Sequence, residues 1–270
     1  DTFEKGSVSN TSFAELITIL QRFKLLAESY EVKNIAVFAT TGIREASNSD
    51  IIIERIRLEA GLDVRLLDAI EEASILYGGS EGSIGALIKD KKNPALIRAI
   101  GGGSTQTIIR RFGKVAASDS HSAGSMKMAE CLQRQPKILH ALFEKSASRF
   151  LVPLSILNGA SRVGTLVIIN DDIQVYLKSK KIKKHAAGLY LCDSDEFARF
   201  TKESLSAYNA SSDSSATCTA AFLAAQAVMT LSNADKVLIP DISLSKAYLA
   251  TMLLGRHGGS ALFEKNIKNS

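Results

Sequence analysis

Tryptophan is absent from this chain, and proline, cysteine and histidine are scarce: four prolines, three cysteines and four histidines in 270 residues. So few prolines exclude a proline-rich linker protein. Cys131, Cys192 and Cys218 are odd in number, widely spaced and without a CxxC pair. That argues against a disulfide framework and a zinc site, and fits a reducing, cytoplasmic compartment. His121, His140, His185 and His257 are scattered, with no HExxH spacing. No apolar run reaches the roughly 18–20 residues of a membrane-spanning helix, so a soluble protein without membrane contact is expected. A signal-peptide pattern is missing too, and the first residue is Asp1 rather than Met, which reads as a processed or truncated piece.

What is present is a globular composition, 46% hydrophobic and 23% charged, which excludes disorder and collagen-like repeats. The length lies between one domain and two. A net charge of +5 permits a polyanionic partner without demanding one. Nucleic acid is the least favoured polyanion, because aromatics are only 6% and do not interleave with the basic residues.

Along the chain, residues 11–30 read as an amphipathic helix with Leu16, Leu20, Phe23, Ala27 and Tyr30 as its apolar face. Ile35 to Thr40 is a continuous apolar strand of the kind covered on both faces. A helix follows from about Asp50 to Ala60, capped by Ser49 or Asp50 and stopped by Gly61. Val64–Leu67 is a short strand, and another helix starts near Ala69. This alternation predicts an α/β fold with a parallel component. Lys89–Pro94 is a charged, proline-ended turn and marks a lobe boundary. Beyond it come a strand at 95–100, a hairpin over 107–111 and 114–117, and a helical stretch after Gly124. A strand is expected at 151–157, helices at 194–208 and 216–231, a strand at 237–239 and a last helix from about Ser243. Ala141–Lys145 recurs at 261–265, too short a match to be a structural repeat.

The most informative segment is Ile100-Gly101-Gly102-Gly103-Ser104-Thr105-Gln106. Three glycines after a strand allow positive φ and let several N–H groups face one point, a concave anion site. Ser104 and Thr105 add hydroxyl donors. A plain tight turn is the alternative. No GK[ST] follows, so this is not a P-loop, and it leads into a strand, so it is not a dinucleotide fingerprint.

Two other segments make the loop more specific. Ala39-Thr40-Thr41-Gly42-Ile43-Arg44-Glu45-Ala46-Ser47-Asn48 follows a strand, and Glu71-Glu72-Ala73 opens a helix. The order AT-x-x-[IL]-R-x-A-x-N, then EEA, then GGGST resembles the exopolyphosphatase/guanosine pentaphosphate phosphohydrolase (Ppx/GppA) family, from about Gly6 through the last helix. The resemblance implies the actin-like ATPase (ribonuclease H-like) two-lobed fold. Residues 1–94 would form a partial first lobe, missing its N-terminal strands and D-x-G-S-N loop, and residues 95–270 the second lobe. It further implies Glu72 as the catalytic base, Arg44, Gly101, Gly102, Gly103, Ser104 and Thr105 as phosphate ligands, and Gly159, in Asn158–Ser161, as a later cleft turn. For the residues alone, without the motif, Glu72 reads first as a solvated first-turn glutamate, and the alternative for Arg44 is a surface ion pair with Glu45 or a neighbour.

The family pattern D-x-GGGST-E holds Mg²⁺ between its acids. Here Ala99 stands at the first acidic position and Gln106 at the last, leaving Gln106 as a poor metal ligand. A GGST-Q ending resembles the fungal retrograde-regulation proteins of this family, which signal from mitochondria to nucleus. Leu244–Ala247 also departs from the family's leucine-arginine-glutamate-glycine turn. The functions implied are cleavage of terminal phosphoanhydrides in polyphosphate or a phosphorylated nucleotide, or phosphate sensing with weakened turnover and a protein partner. A homodimer is left open. The lysine-rich run 178–184 reads as a solvated loop or an anion-guiding surface.

Overall fold

The structure, a computed structural model, describes residues 2–88, 94–112, 114–134, 163–186, 188–210 and 216–253. They form two compact units, 1–72 and 73–270, dividing inside the first turn of one helix. The turn expected as the lobe boundary, and the segments 151–162 and 261–265, lie wholly or mostly outside the described residues.

The first unit runs α1 (Thr2–Lys5), α2 (Asn10–Ser29), β1 (Val37–Ala39), α3 (Thr41–Arg44), α4 (Ser49–Ala60) and β2 (Val64–Leu66), ending at the start of α5 (Ala69–Ile84). β1 and β2 pair in parallel, Val37 opposite Val64. The expected α2 is present, but its buried residues are Phe13 and Ile17, while Phe23 and Tyr30 are exposed. Periodicity identifies apolar positions but not the neighbour. Here α2 packs through its first half, with Phe13, Ile17, Ile52 and Ile56 in one cluster and Arg55 over the Phe13 ring. β1 is shorter than the apolar run predicts, and Val37 and Phe38 are only half-buried. The cap of α4 is Asn48, not Ser49 or Asp50. Its amide binds both backbone groups of Val8, at 3.0 and 2.9 Å, and so ties α4 to the segment before α2. Gly61 ends α4 in the left-handed conformation, φ 61°, as a glycine after the last turn should.

The second unit is built on a sheet of order β5-β4-β3-β6-β8-β7. Its strands are β3 (Ala95–Ile100), β4 (Thr105–Arg111), β5 (Lys114–His121), β6 (Thr165–Ile169), β7 (Leu189–Asp193) and β8 (Lys236–Pro240). β3, β6 and β8 are parallel, and β5-β4-β3 form an antiparallel meander. β3 and β6 are almost wholly apolar and buried, as strands covered on both faces must be. Among the described residues the helices of this unit are the rest of α5, then α6 (Ser125–Arg134), α7 (Asp171–Ser179), α8 (Ser194–Ala210), α9 (Ala216–Ser232) and α10 (Leu244–Leu253). Alanine-rich α9 is buried on most sides and central to the core. Its Phe222 ring lies 5.0 Å from Tyr176 and 5.4 Å from Phe197.

Asn170 links β6 to the start of α7 and to the end of β3. Its Oδ1 accepts from the Ile173 N–H at 2.9 Å, and its Nδ2 donates to the Ile100 carbonyl at 2.8 Å. Asn170→Ala removes the cap and strands a buried carbonyl, so it should cost about 2–3 kcal/mol in urea unfolding. Asn170→Asp keeps the cap acceptor but loses the Nδ2 donor, so it should recover only part of that loss, whereas a purely steric role would give full recovery because the two side chains have the same shape.

Candidate active site

At the start of α5, two adjacent glutamates have different fates. Asp68 caps the helix, its Oδ1 accepting from the Ile70 and Glu71 N–H groups at 2.8 Å. Glu71 reaches back to the Asp68 N–H at 3.1 Å and pairs with Arg65 at 2.5 Å. This is a reciprocal capping box, so Glu71 is structural. Glu72, one residue on, turns the other way and is 7% exposed. It is therefore not the solvated first-turn glutamate of the alternative reading.

Arg44, from the last turn of α3, lies against it, its Nη1 3.6 Å from Glu72 Oε2. The guanidinium is fixed from two sides: Nη1 donates to the Leu67 carbonyl at 2.6 Å and Nη2 to Thr41 Oγ1 at 2.7 Å. Arg44 therefore pairs with Glu72 rather than with Glu45 at the surface. Glu72 Oε2 is buried and accepts no hydrogen bond. Burial pushes its carboxyl above the ordinary carboxylate range, and the Arg44 charge opposes this without cancelling it. A carboxylate so desolvated, with one oxygen unsatisfied, holds a proton more readily than a solvated one.

In the second unit the glycine loop joins β3 to β4. None of the three glycines takes a positive φ, contrary to expectation. What the loop requires instead is close approach. The N–H groups of Ser125 and Met126, at the start of α6, donate to the carbonyls of Gly101 and Gly102 at 2.8 and 2.9 Å. A Cβ on Gly124 would lie 2.3 Å from the Gly102 carbonyl carbon and oxygen, so only glycine lets the backbones meet there. Gly101 N–H closes the turn on the Ser104 carbonyl at 2.9 Å.

Peptide planarity then fixes the donors. The peptides here are trans, so the carbonyl of Gly101 and the N–H of Gly102 point in opposite directions, as do the next pair. With both carbonyls turned toward α6, the N–H groups of Gly102 and Gly103 face away from it. Neither has a partner among the described residues. Two adjacent unpaired N–H groups of like direction are an anion-binding arrangement.

The Thr105 hydroxyl differs from expectation. Thr105 Oγ1 is fully buried and donates to the Ala123 carbonyl at 2.6 Å, so its proton staples β4 to the start of α6. Ser104 Oγ accepts from Gln106 Nε2 at 2.9 Å. Gln106 is 2% exposed, and its Oε1 has no partner. It sits opposite Ala99 in the ladder, and both line a cavity of about 10 Å³ with Leu76, Tyr77 and Ile169. The resemblance implies Mg²⁺ here, but a hard cation wants several oxygens, preferably carboxylates. The pair supplies one neutral amide oxygen and a methyl group. Among the described residues no three His, Cys, Asp or Glu side chains come together. The donors present do not fit the ion.

Gly159 lies outside the described residues. The lysine run is not a plain loop: Lys178 lies in the last turn of α7, and Lys178 and Lys184, with Lys246, converge on Asp241 at 2.8, 2.8 and 3.3 Å. Burial raises the Asp241 carboxyl, but the three ammonium groups outweigh it and hold the carboxyl well below the usual range. With Lys180 3.9 Å from Glu203, three of the run's lysines are thus already paired. Sequence reasoning missed Gly124 and Asn170, since neither a backbone contact nor a carbonyl tie has a motif. Among the described residues no helix is long and apolar enough to cross a membrane.

Comparison with known proteins bears on the family and the fold. A bifunctional 3-dehydroquinate synthase/phosphatase of Fusobacterium nucleatum is 27% identical over 113 residues, 41% of this chain and 17% of that protein. A guanosine-5'-triphosphate,3'-diphosphate pyrophosphatase of Aliivibrio fischeri is 27% identical over 127 residues, 47% of this chain and 24% of that protein. The chain thus spans at most about a quarter of the length of these curated relatives. The crystal structure of an exopolyphosphatase from Cytophaga hutchinsonii superposes with a TM-score of 0.76 at 19% identity, covering 94% of this chain and 85% of that one. That likeness shows the expected α/β, actin-like fold. The Ppx/GppA phosphatase family model matches residues 2–244, and with nine-tenths of its length so matched the chain belongs to the Ppx/GppA phosphatase family.

Proposed function

We propose that this chain is a phosphohydrolase domain that cleaves terminal phosphoanhydride bonds of inorganic polyphosphate or a guanosine polyphosphate. The observation that carries the reading is Glu72: a buried carboxylate with an unsatisfied oxygen and a raised proton affinity, oriented by Arg44. Its Oε2 takes a proton from a water whose oxygen attacks the terminal phosphorus. The bridging P–O bond breaks, and the leaving phosphate keeps the electron pair. Within the second unit, the N–H groups of Gly102 and Gly103 are the donors suited to phosphate oxygens. No step of this reading passes through a metal ion.

Release of orthophosphate from medium-chain polyphosphate and from guanosine pentaphosphate tests it, with turnover on at least one expected. Absence of turnover on both, with ligand binding retained, would overturn it. It would favour a phosphate-sensing regulator with a protein partner, the second reading, which the Ala99 and Gln106 positions support.

A further inference from the structure

The geometry points to a phosphate site in the second unit that binds its anion without a divalent cation, with Ala99 and Gln106 as the residues that make it so. The inference rests on the reading of the 101–105 loop as a phosphate site, and concerns how that site balances charge. Three observations converge on it. The unpaired N–H groups of Gly102 and Gly103 are already aimed away from α6, because their peptide planes are bonded to it through the carbonyls of Gly101 and Gly102. The anion therefore meets backbone donors directly.

Second, no residue of the loop or of the ladder positions beside it carries a negative charge. Ala99 pairs with Gln106, Gln106 with Ser120, and Thr105 with His121. The first turn of α6 holds no acidic residue and contains Lys127. A divalent cation is needed between an anion and a site when the site's own carboxylates would repel the anion. The flanking carboxylates are Asp119, whose Oδ1 accepts from the Ser120 N–H, and Asp171, the residue after Asn170; neither belongs to the loop or to the Ala99–Gln106 pair, so the pair itself adds no such repulsion.

Third, the space beside Gln106 is the wrong kind for a cation. It holds one water at most, and methyl and alkyl groups from Ala99, Leu76 and Ile169 make most of its wall. A magnesium ion would have to shed hydration there for a single neutral oxygen. Gln106 instead braces the loop, donating from Nε2 to the Ser104 hydroxyl at 2.9 Å.

The test is a titration of the full chain with inorganic phosphate, at constant ionic strength, followed by the amide resonances of Gly102 and Gly103. It is run once in EDTA and once in excess Mg²⁺. Saturable movement of both resonances is expected, with half-saturating concentrations agreeing within about threefold. Tightening beyond that in Mg²⁺, or movement only in Mg²⁺, overturns the inference while leaving the loop a phosphate site. No movement in either condition overturns the phosphate-site reading itself, and this inference with it.

Gln106→Glu supplies an independent arm. A carboxylate at that position should weaken phosphate binding in EDTA by roughly fivefold or more, with Mg²⁺ recovering part of the loss. An unchanged EDTA value in a folded Gln106→Glu chain would count against the inference. Should that variant not fold, the two titrations of the natural chain decide the matter alone.

Discussion

Glu72→Gln is expected to lower phosphate release by about two to four orders of magnitude, the usual contribution of a positioned general base. The same substitution should raise the melting temperature at neutral pH. The sign follows from burial. The folded Glu72 carboxyl binds its proton more tightly than the unfolded one, so its contribution to stability is full at low pH. That contribution is lost as pH rises through the raised folded value, where a charge must form in a desolvated place. Glutamine has the same shape and no charge to form. The gap in melting temperature between Glu72→Gln and the natural chain should therefore widen as pH rises above 4.5, the ordinary glutamate value, then level off. Phosphate release by the natural chain should increase with pH over the same window, as the base loses its proton, and that limb should vanish in Glu72→Gln. Loss of both activity and stability would instead assign Glu72 a structural role as the partner of Arg44.

Gly124→Ala carries the largest expected loss of stability. The added methyl would lie 2.3 Å from backbone atoms of Gly102 and 2.4 Å from the Gly101 carbonyl oxygen. No flexible side chain is there to yield, so the loop and the start of α6 must separate. Overpacking of this kind costs about 3 kcal/mol, which lowers the melting temperature of a unit this size by roughly 6–12 °C. Because the bonds from Ser125 and Met126 to Gly101 and Gly102 would break, inorganic phosphate should no longer stabilise the variant. Retention of phosphate-induced stabilisation would show that the loop holds its donors without α6.

Much of the fold is legible in the residues. The strand from Ala95 to Ile100 ends where apolar residues give way to glycine, and Gly61 stops α4 for a reason visible in the sequence. The central strand β6 lies outside the elements read there, although Thr165–Ile169 is an apolar run of the same kind. α7 and β7 follow it and share that fate, which is why Lys178 reads as part of a loop. The buried face of α2 was legible as far as Leu20 but not beyond, because Phe23 and Tyr30 have the right spacing whatever lies beside them. For the site, motif order singled out Glu72, Arg44 and the glycines. It could not show that Glu71 is a cap, that Arg44 touches Glu72, or that the Thr105 proton is committed to Ala123. Those are facts of three-dimensional proximity.

The bond from α6 to the loop carbonyls has a further consequence for how the site meets a ligand. A peptide plane anchored at its oxygen cannot swing its neighbouring N–H about without breaking the first turn of a helix. The orientation of the Gly102 and Gly103 donors is thus settled when the second unit folds, not when an anion arrives. Three consecutive glycines would ordinarily make an entropic burden for any site built on them, since no residue loses more freedom on ordering. Held in this way, they reach the encounter already immobile, and binding has little disorder left to remove.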